Sequence, residues 1–344
     1  MKNKLLIIGG HGAVGRIILK NLLDKGISEN QLVIAGRSLD KMTNFIEKEK
    51  LRIDYRQIDI HEPIKKAMFE DIQLVVMCID QKETTFVEEL MALKIDYVDI
   101  TANSEFIKKI NQLPQNKTVS VVTSVGLAPG LTNLATADYI KRYQPKTVAI
   151  DILLGTGESH GEAAVHWMFD NINQPYHIKQ ASQPIKNFTL KRVVDFTPKL
   201  KQRETYNFNF SDQHILNEQY PKIPITTYFG FDMNIMTKSL HWLNRMNGLS
   251  FLEKKQVIHI LKKVMKKEMI GTDAFAIRVS NGKEDDKNGF SLYGSNEKEI
   301  TGKIASLVVY RVYKQQEKVG IASIDGILTL DDVVNETHLH KFIN

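Results

Sequence analysis

Cysteine is almost absent: Cys78 is the one thiol in 344 residues. An internal disulfide is therefore excluded, and a reducing, cytoplasmic setting is expected. No apolar run approaches the roughly 20 residues that a membrane-spanning helix needs, so a soluble chain without a membrane partner is expected. The net charge is +6, yet there is no dense basic block with interleaved aromatics, and nucleic acid is not expected as a partner. No Cys/His cluster has metal-ligand spacing, so no metal is expected; His338 and His340 read as surface residues. Internal repeats and low-complexity tracts are missing too.

What is present is an ordinary globular balance, 42% hydrophobic and 25% charged residues, in a chain long enough for two domains. The opening MKNKLLIIGGHG has a basic start and a short apolar run. That run ends in glycines rather than a cleavage site, and it reads as a first strand over 4–8. Helical spacing follows over 13–25, and the cycle repeats. Strands are predicted at 31–35, 53–58, 73–79, 95–100 and 118–123, alternating with helices near 38–49, 62–69, 82–93 and 103–111. Such alternation predicts a doubly wound parallel sheet of Rossmann type over residues 1–125.

Beyond residue 130 the rhythm changes. A helix is expected after Pro129-Gly130, then longer strands at 146–154, 188–197, 204–210, 273–281 and 303–313, with helices near 160–173 and 232–267. This pattern predicts a second, mixed α/β (α+β) domain. The Gly-, Asn- and charge-rich stretch 281–299 reads as a solvated hairpin in preference to a mobile lid.

The sharpest motif lies between the first strand and the first helix: Gly10, Gly12 and Gly15 form G-x-G-x-x-G, with Ala13 and Val14 between the last two. Gly10 permits the tight turn, Gly12 lets the backbone approach a pyrophosphate, and Gly15 lets helix and strand pack closely. The helix N-terminus then offers free N–H groups to phosphates. A site for NAD(H) places a carboxylate about 20 residues further on, at the end of the second strand. Ala35-Gly36-Arg37-Ser38 stands there instead. Arg37 suits a ribose 2′-phosphate and Ser38 can donate to the same oxygens, so NADP(H) is expected over NAD(H). Cys78 ends the fourth strand, at the sheet edge where ligands bind. Its backbone is expected to line the nicotinamide side and its thiol to be packed rather than nucleophilic.

Three further stretches accompany the glycine loop: Tyr97-Val98-Asp99-Ile100-Thr101, Gly126-Leu127-Ala128-Pro129-Gly130-Leu131-Thr132-Asn133-Leu134, and Gly155-Thr156-Gly157-Glu158-Ser159-His160-Gly161. Together, and in this order, they resemble the saccharopine dehydrogenase-like family, in particular its reductase branch. The resemblance implies an N-terminal Rossmann domain, an inserted domain over 126–320 that closes over the cofactor, and a C-terminal helical return over 321–344; separately, a homodimer through the second domain is expected. It also implies hydride chemistry at carbon–nitrogen bonds of amino-acid derivatives, with Asp99, Thr101 and the turn from Gly126 through Pro129 to Gly130 beside the cofactor's reactive end. One position departs: amino-acid-acting members are similar to G-L-D-P-G, whereas Ala128 stands here, and saccharopine itself is put in doubt as substrate.

For proton transfer the candidates are Asp99, at a strand's carboxyl end, and Glu158 and His160, in a Gly-rich turn where helix capping by Ser159 and Glu162 is an equal alternative. Arg278 and Arg311 could hold a substrate carboxylate, although surface rungs of strands are the favoured reading. Tyr310 and Lys314 have the Y-x-x-x-K spacing of short-chain dehydrogenases, but the β-branched run around them predicts a strand, which would separate the pair. The expected function is an NADP(H)-dependent oxidoreductase acting on a small substrate. An atypical enoyl or carbonyl reductase and a noncatalytic NADP(H) sensor are the alternatives.

Overall fold

The computed structural model describes residues 2–157, 171–178, 183–196, 200–246, 271–283, 286–315 and 318–343. Two compact units emerge, Met1–Leu131 with Thr301–Thr329, and Thr132–Ile300 with Leu330–Asn344.

In the first unit, β1 (Lys4–Ile8), β2 (Leu32–Gly36), β3 (Asp54–Gln57), β4 (Ile72–Met77), β5 (Asp96–Asp99) and β6 (Ser120–Thr123) form a parallel sheet. A seventh strand, β13 (Gly320–Ser323), joins β6, so that the spatial order is β3-β2-β1-β4-β5-β6-β13. The order reverses beside β1, and this is where an open α/β sheet leaves a crevice at the strands' carboxyl ends. Crossovers run through α1 (Ala13–Asp24), α2 (Leu39–Glu49), α3 (Thr85–Ala92) and α4 (Ser104–Asn111). The central strands are apolar on both faces, as helices on both sides require: Leu5 through Ile8 are wholly buried. Between β3 and β4 only a short 3-10 turn forms, Lys66–Phe69, in place of the helix expected over 62–69.

The second unit is built on a mixed sheet, with β7 (Val148–Leu154) and β10 (Ile225–Phe231) parallel at its centre. Around them β8 (Lys191–Asp195), β9 (Gln202–Asn207), β11 (Ala274–Ser280), β12 (Phe290–Ser295) and β14 (His340–Ile343) pair antiparallel, in the order β14-β12-β11-β7-β10-β9-β8. The helices α5 (Thr132–Tyr143), α6 (Ser211–Gln219), α7 (Asn234–Arg245) and α9 (Leu330–Thr337) belong to this unit. The stretch 281–299 holds the expected hairpin, β11 turning into β12. Asp286 organises its loop by accepting from Tyr139 Oη at 2.6 Å and from the amides of Asn281 and Asn288 at 2.7 and 3.0 Å.

Two further expectations fail. Residues 303–313 are not a strand but most of the long helix α8 (Glu297–Lys314). Ile304, Ala305, Val308, Val309 and Val312 are buried, a helical repeat whose packing outweighs the β-branched composition. The return to the first unit is also not 321–344. It begins at Thr301 within α8 and ends with Thr329, whereas α9 and β14 belong to the second unit.

Candidate functional site

The glycine loop is shaped by close approaches that a side chain would forbid. A β-carbon on Gly10 would lie 2.6 Å from Ile34 Cγ2 of β2, and one on Gly15 would lie 2.5 Å from the Gly9 carbonyl. Gly9 has φ +79°, in the left-handed region that favours glycine. Gly12 is the N-cap of α1, and no side chain caps that helix end. Ala13 is exposed and Val14 half-buried. The first-turn amides of α1 therefore stand over bare backbone, the cradle that a pyrophosphate needs.

At the end of β2, Arg37 is exposed and no described residue pairs with its guanidinium. The Gln57 side chain fixes the turn by donating to the Arg37 carbonyl at 2.9 Å. Ser38 caps α2 by accepting from the Lys41 amide at 3.4 Å. Cys78 donates its amide to the Ile8 carbonyl at 3.0 Å and lies against Gly9. Burial, reinforced by the Asp99 carboxylate, pushes its thiol pKa far up, so it stays protonated and unreactive at neutral pH.

At the carboxyl end of β5, Asp99 is wholly buried. Its Oδ2 accepts from Tyr97 Oη and, at 3.1 Å, from Gln81 Nε2; its Oδ1 accepts from the Thr101 amide at 2.7 Å. Burial pushes the carboxyl up to about 7, against the lowering by these hydrogen bonds. Thr101 in turn accepts from the Asn103 amide at 3.2 Å. Asp99 thus fastens the turn into α4 and is closed off from solvent. Gln81 carries no sequence signal for this role, whereas period-2 alternation puts Tyr97 on the face of Asp99.

The Gly126–Gly130 turn closes with Leu131 donating to the Gly126 carbonyl at 2.8 Å, and Gly130 sits at φ +139°. Pro129 is buried, while Ala128 is half-buried between buried neighbours. The variant position is thus the one that reaches the surface of the turn.

In the second unit Asp232 clamps the Gly155-Thr156-Gly157 segment. Its Oδ1 accepts from the Thr156 amide and hydroxyl at 3.0 and 2.9 Å, and its Oδ2 accepts from the Thr272 amide and hydroxyl at 2.7 and 2.9 Å. A β-carbon on Gly155 would lie 2.1 Å from the Thr272 carbonyl, which accounts for the glycine. Glu158 and His160 lie outside the described residues. Arg278 is not a surface rung: it is buried opposite Asp151. Arg311 is exposed on α8.

Tyr310 and Lys314 do share a helix, one turn apart, with Lys314 Nζ 5.8 Å from the Tyr310 ring. Position, not secondary structure, removes them from the site. Lys25, at the far end of α1 from the glycine loop, lies 5.8 Å from the same ring. The neighbouring Tyr313 donates to the Asn3 carbonyl at 2.7 Å, at the amino-terminal edge of the sheet.

The family model of the saccharopine dehydrogenase NADP binding domain matches residues 5–145. The amino-terminal part of the chain is thus similar to that domain. The cofactor of this NADP-binding domain is NADP(H), and the glycine cradle and the carboxylate-free end of β2 fit it. Two solved structures share the fold along the whole chain. Saccharopine dehydrogenase (L-Glu forming) from Saccharomyces cerevisiae is 12% identical with a TM-score of 0.64, covering 99% of this chain and 100% of its own. The homospermidine synthase of Legionella pneumophila, in complex with NAD, is 10% identical with a TM-score of 0.64, covering 100% and 92%. No curated protein matches by sequence. Among the described residues no helix is long and apolar enough to cross a membrane.

Proposed function

We propose that the protein is an NADP(H)-dependent oxidoreductase that moves hydride to or from a carbon–nitrogen bond of a small, amino-acid-derived substrate. The observation that carries this reading is the row of features at the carboxyl edge of one parallel sheet: the glycine cradle after β1, Arg37 after β2, Cys78 after β4 and the Thr101 turn after β5. NADP(H), when bound, supplies or accepts the hydride. Gly10, Gly12, Ala13, Val14 and Gly15 would hold its pyrophosphate, and Arg37 and Ser38 its 2′-phosphate. The Cys78 backbone, Thr101, Gly126 and Pro129 would border the nicotinamide.

Asp99 is assigned a positioning role. Both its oxygens are engaged, so it acts by holding Thr101 in place rather than by touching substrate. Glu158 and His160 are carried forward as the proton relay, on the strength of their residue types in a glycine-flanked turn. The carbon–nitrogen preference draws on the two structures of the same fold, named for saccharopine and homospermidine, both secondary amines. Ala128 argues against saccharopine itself, because the turn offers an ammonium no carboxylate.

A homodimer through the second unit belongs to the same proposal. It is supported by Ile235, Trp242 and Met246, which α7 and the residue after it leave 68%, 57% and 68% exposed. Sedimentation velocity checks it. The activity is tested by following NADPH absorbance with 2-oxo acids paired with amines, against simple enones and ketones. Turnover confined to the carbonyl-plus-amine mixtures is expected; turnover of enones or ketones alone overturns the carbon–nitrogen reading.

A further inference from the structure

The second residue of the glycine motif, His11, has no task in the scheme above, and its surroundings are unusual. Its ring lies against the end of β2: a β-carbon on Gly36 would meet His11 Cε1 at 3.2 Å and Nδ1 at 3.7 Å. Nδ1 is buried and makes no hydrogen bond among the described residues. The residue as a whole is half-buried, so the open remainder of the ring carries Nε2. Gly36 directly precedes Arg37. The imidazole is therefore on the glycine-loop side of the place where the second strand of such a fold meets the adenosine ribose.

Cations converge there. Arg16 of α1 donates to the His11 carbonyl at 2.6 Å and stacks over Phe45, with its guanidinium carbon 4.7 Å from the ring centroid. Lys41 of α2 also acts on the imidazole, and burial, Lys41 and Arg16, in that order, hold its pKa below the ordinary histidine value. Arg37 lies on the turn between β2 and α2. No described carboxylate is paired with Arg37 or Lys41. Two cations, Arg16 and Lys41, thus act on a half-buried imidazole that packs against the residue preceding Arg37.

We propose that His11 is a specificity residue for the 2′-phosphate of NADP(H), meeting it from the glycine loop while Arg37 meets it from the end of β2. In the free protein the ring is neutral. A phosphate dianion placed among these groups reverses the local field, so the imidazole takes up a proton as the phosphate docks and donates a charge-assisted hydrogen bond to it. NAD(H), with a hydroxyl there, elicits neither the proton nor the bond. This inference rests on NADP(H) being the cofactor.

The test is calorimetric titration of the full chain with NADP+ and NAD+ at pH 7.5, in buffers of different ionisation enthalpy, for wild type and His11→Asn. Wild type is expected to take up a fraction of a proton with NADP+ and none with NAD+. His11→Asn should abolish that uptake and weaken NADP+ about tenfold, the factor one charge-assisted hydrogen bond supplies, with NAD+ unchanged. Equal weakening of both dinucleotides would mean that His11 only shapes the loop, and unchanged NADP+ affinity would mean it has no role; either overturns the proposal. A variant that fails to fold leaves the wild-type measurement decisive: NMR of its histidine rings should show one imidazole pKa rising with 2′,5′-ADP but not with ADP, and the absence of such a ring overturns it. If wild type binds no NADP+ at all, the cofactor assignment falls with it.

Discussion

Replacing Asp99 with asparagine should remove a pH dependence of stability that the wild-type first unit carries between about pH 4 and 7. The carboxyl is fully buried. Burial raises it from 3.8 to about 7, the Tyr97 hydroxyl and Thr101 amide lower it, and Asp80 raises it further. Because the folded pKa lies above the unfolded one, the native state holds the proton more tightly. The resulting stabilisation is complete below the unfolded pKa and is lost as pH rises through about 7. A shift of about three units corresponds to on the order of 4 kcal/mol across this window, about 1.4 kcal/mol for each pH unit.

Asparagine does not ionise, so the variant lacks this slope while other groups contribute equally to both proteins. Urea unfolding followed by circular dichroism at pH 4.5, 5.5, 6.5 and 7.5 supplies the comparison. The wild-type stability minus that of Asp99→Asn should fall steadily over the series. In parallel, the Asp99 carboxyl carbon should titrate near neutrality by NMR. Two curves that stay parallel would refute the claim that this carboxyl is enclosed as a weak acid.

Three further outcomes are expected. Gly12→Val, placing a branched side chain where the phosphates approach, should weaken NADP+ by about 100-fold while far-ultraviolet circular dichroism stays the same, since Gly12 lies at a helix cap rather than in its interior. Arg37→Gln should weaken NADP(H) by roughly 10- to 100-fold and leave NAD(H) unchanged, as measured by fluorescence titration, with the difference shrinking at high salt. Tyr310→Phe should leave NADP+ affinity within about twofold of wild type, because the residue packs at the opposite edge of the sheet; a larger change would bring the Y-x-x-x-K pair back into the site.

Much of the first unit was legible because its signals are local. Strands β1 to β6 and the helices α1 to α4 lie within a few residues of their predicted places, since a strand buried on both faces must be apolar throughout and its crossover helix must carry a 3.6-residue stripe; the helix expected over 62–69 is the exception. The glycines after β1 and the missing carboxylate after β2 were readable for the same reason. Stretch 303–313 went the other way. Val308, Val309 and Val312 carry strand-like composition, yet with Ile304 and Ala305 they form a helical stripe, and only their packing in the first unit decides between the two readings.

The amino-acid order alone determined the nucleotide cradle, because a turn that admits phosphate to bare backbone needs glycine at particular places and nothing distant. Tertiary structure decided what lies far apart in sequence. It brought Gln81 to Asp99, Asp232 to Thr156 and Thr272, and Tyr313 to Asn3, and it set His11 against Gly36. Such contacts follow from how strands are ordered in a sheet and how helices cross it, and no window of neighbouring residues carries that information.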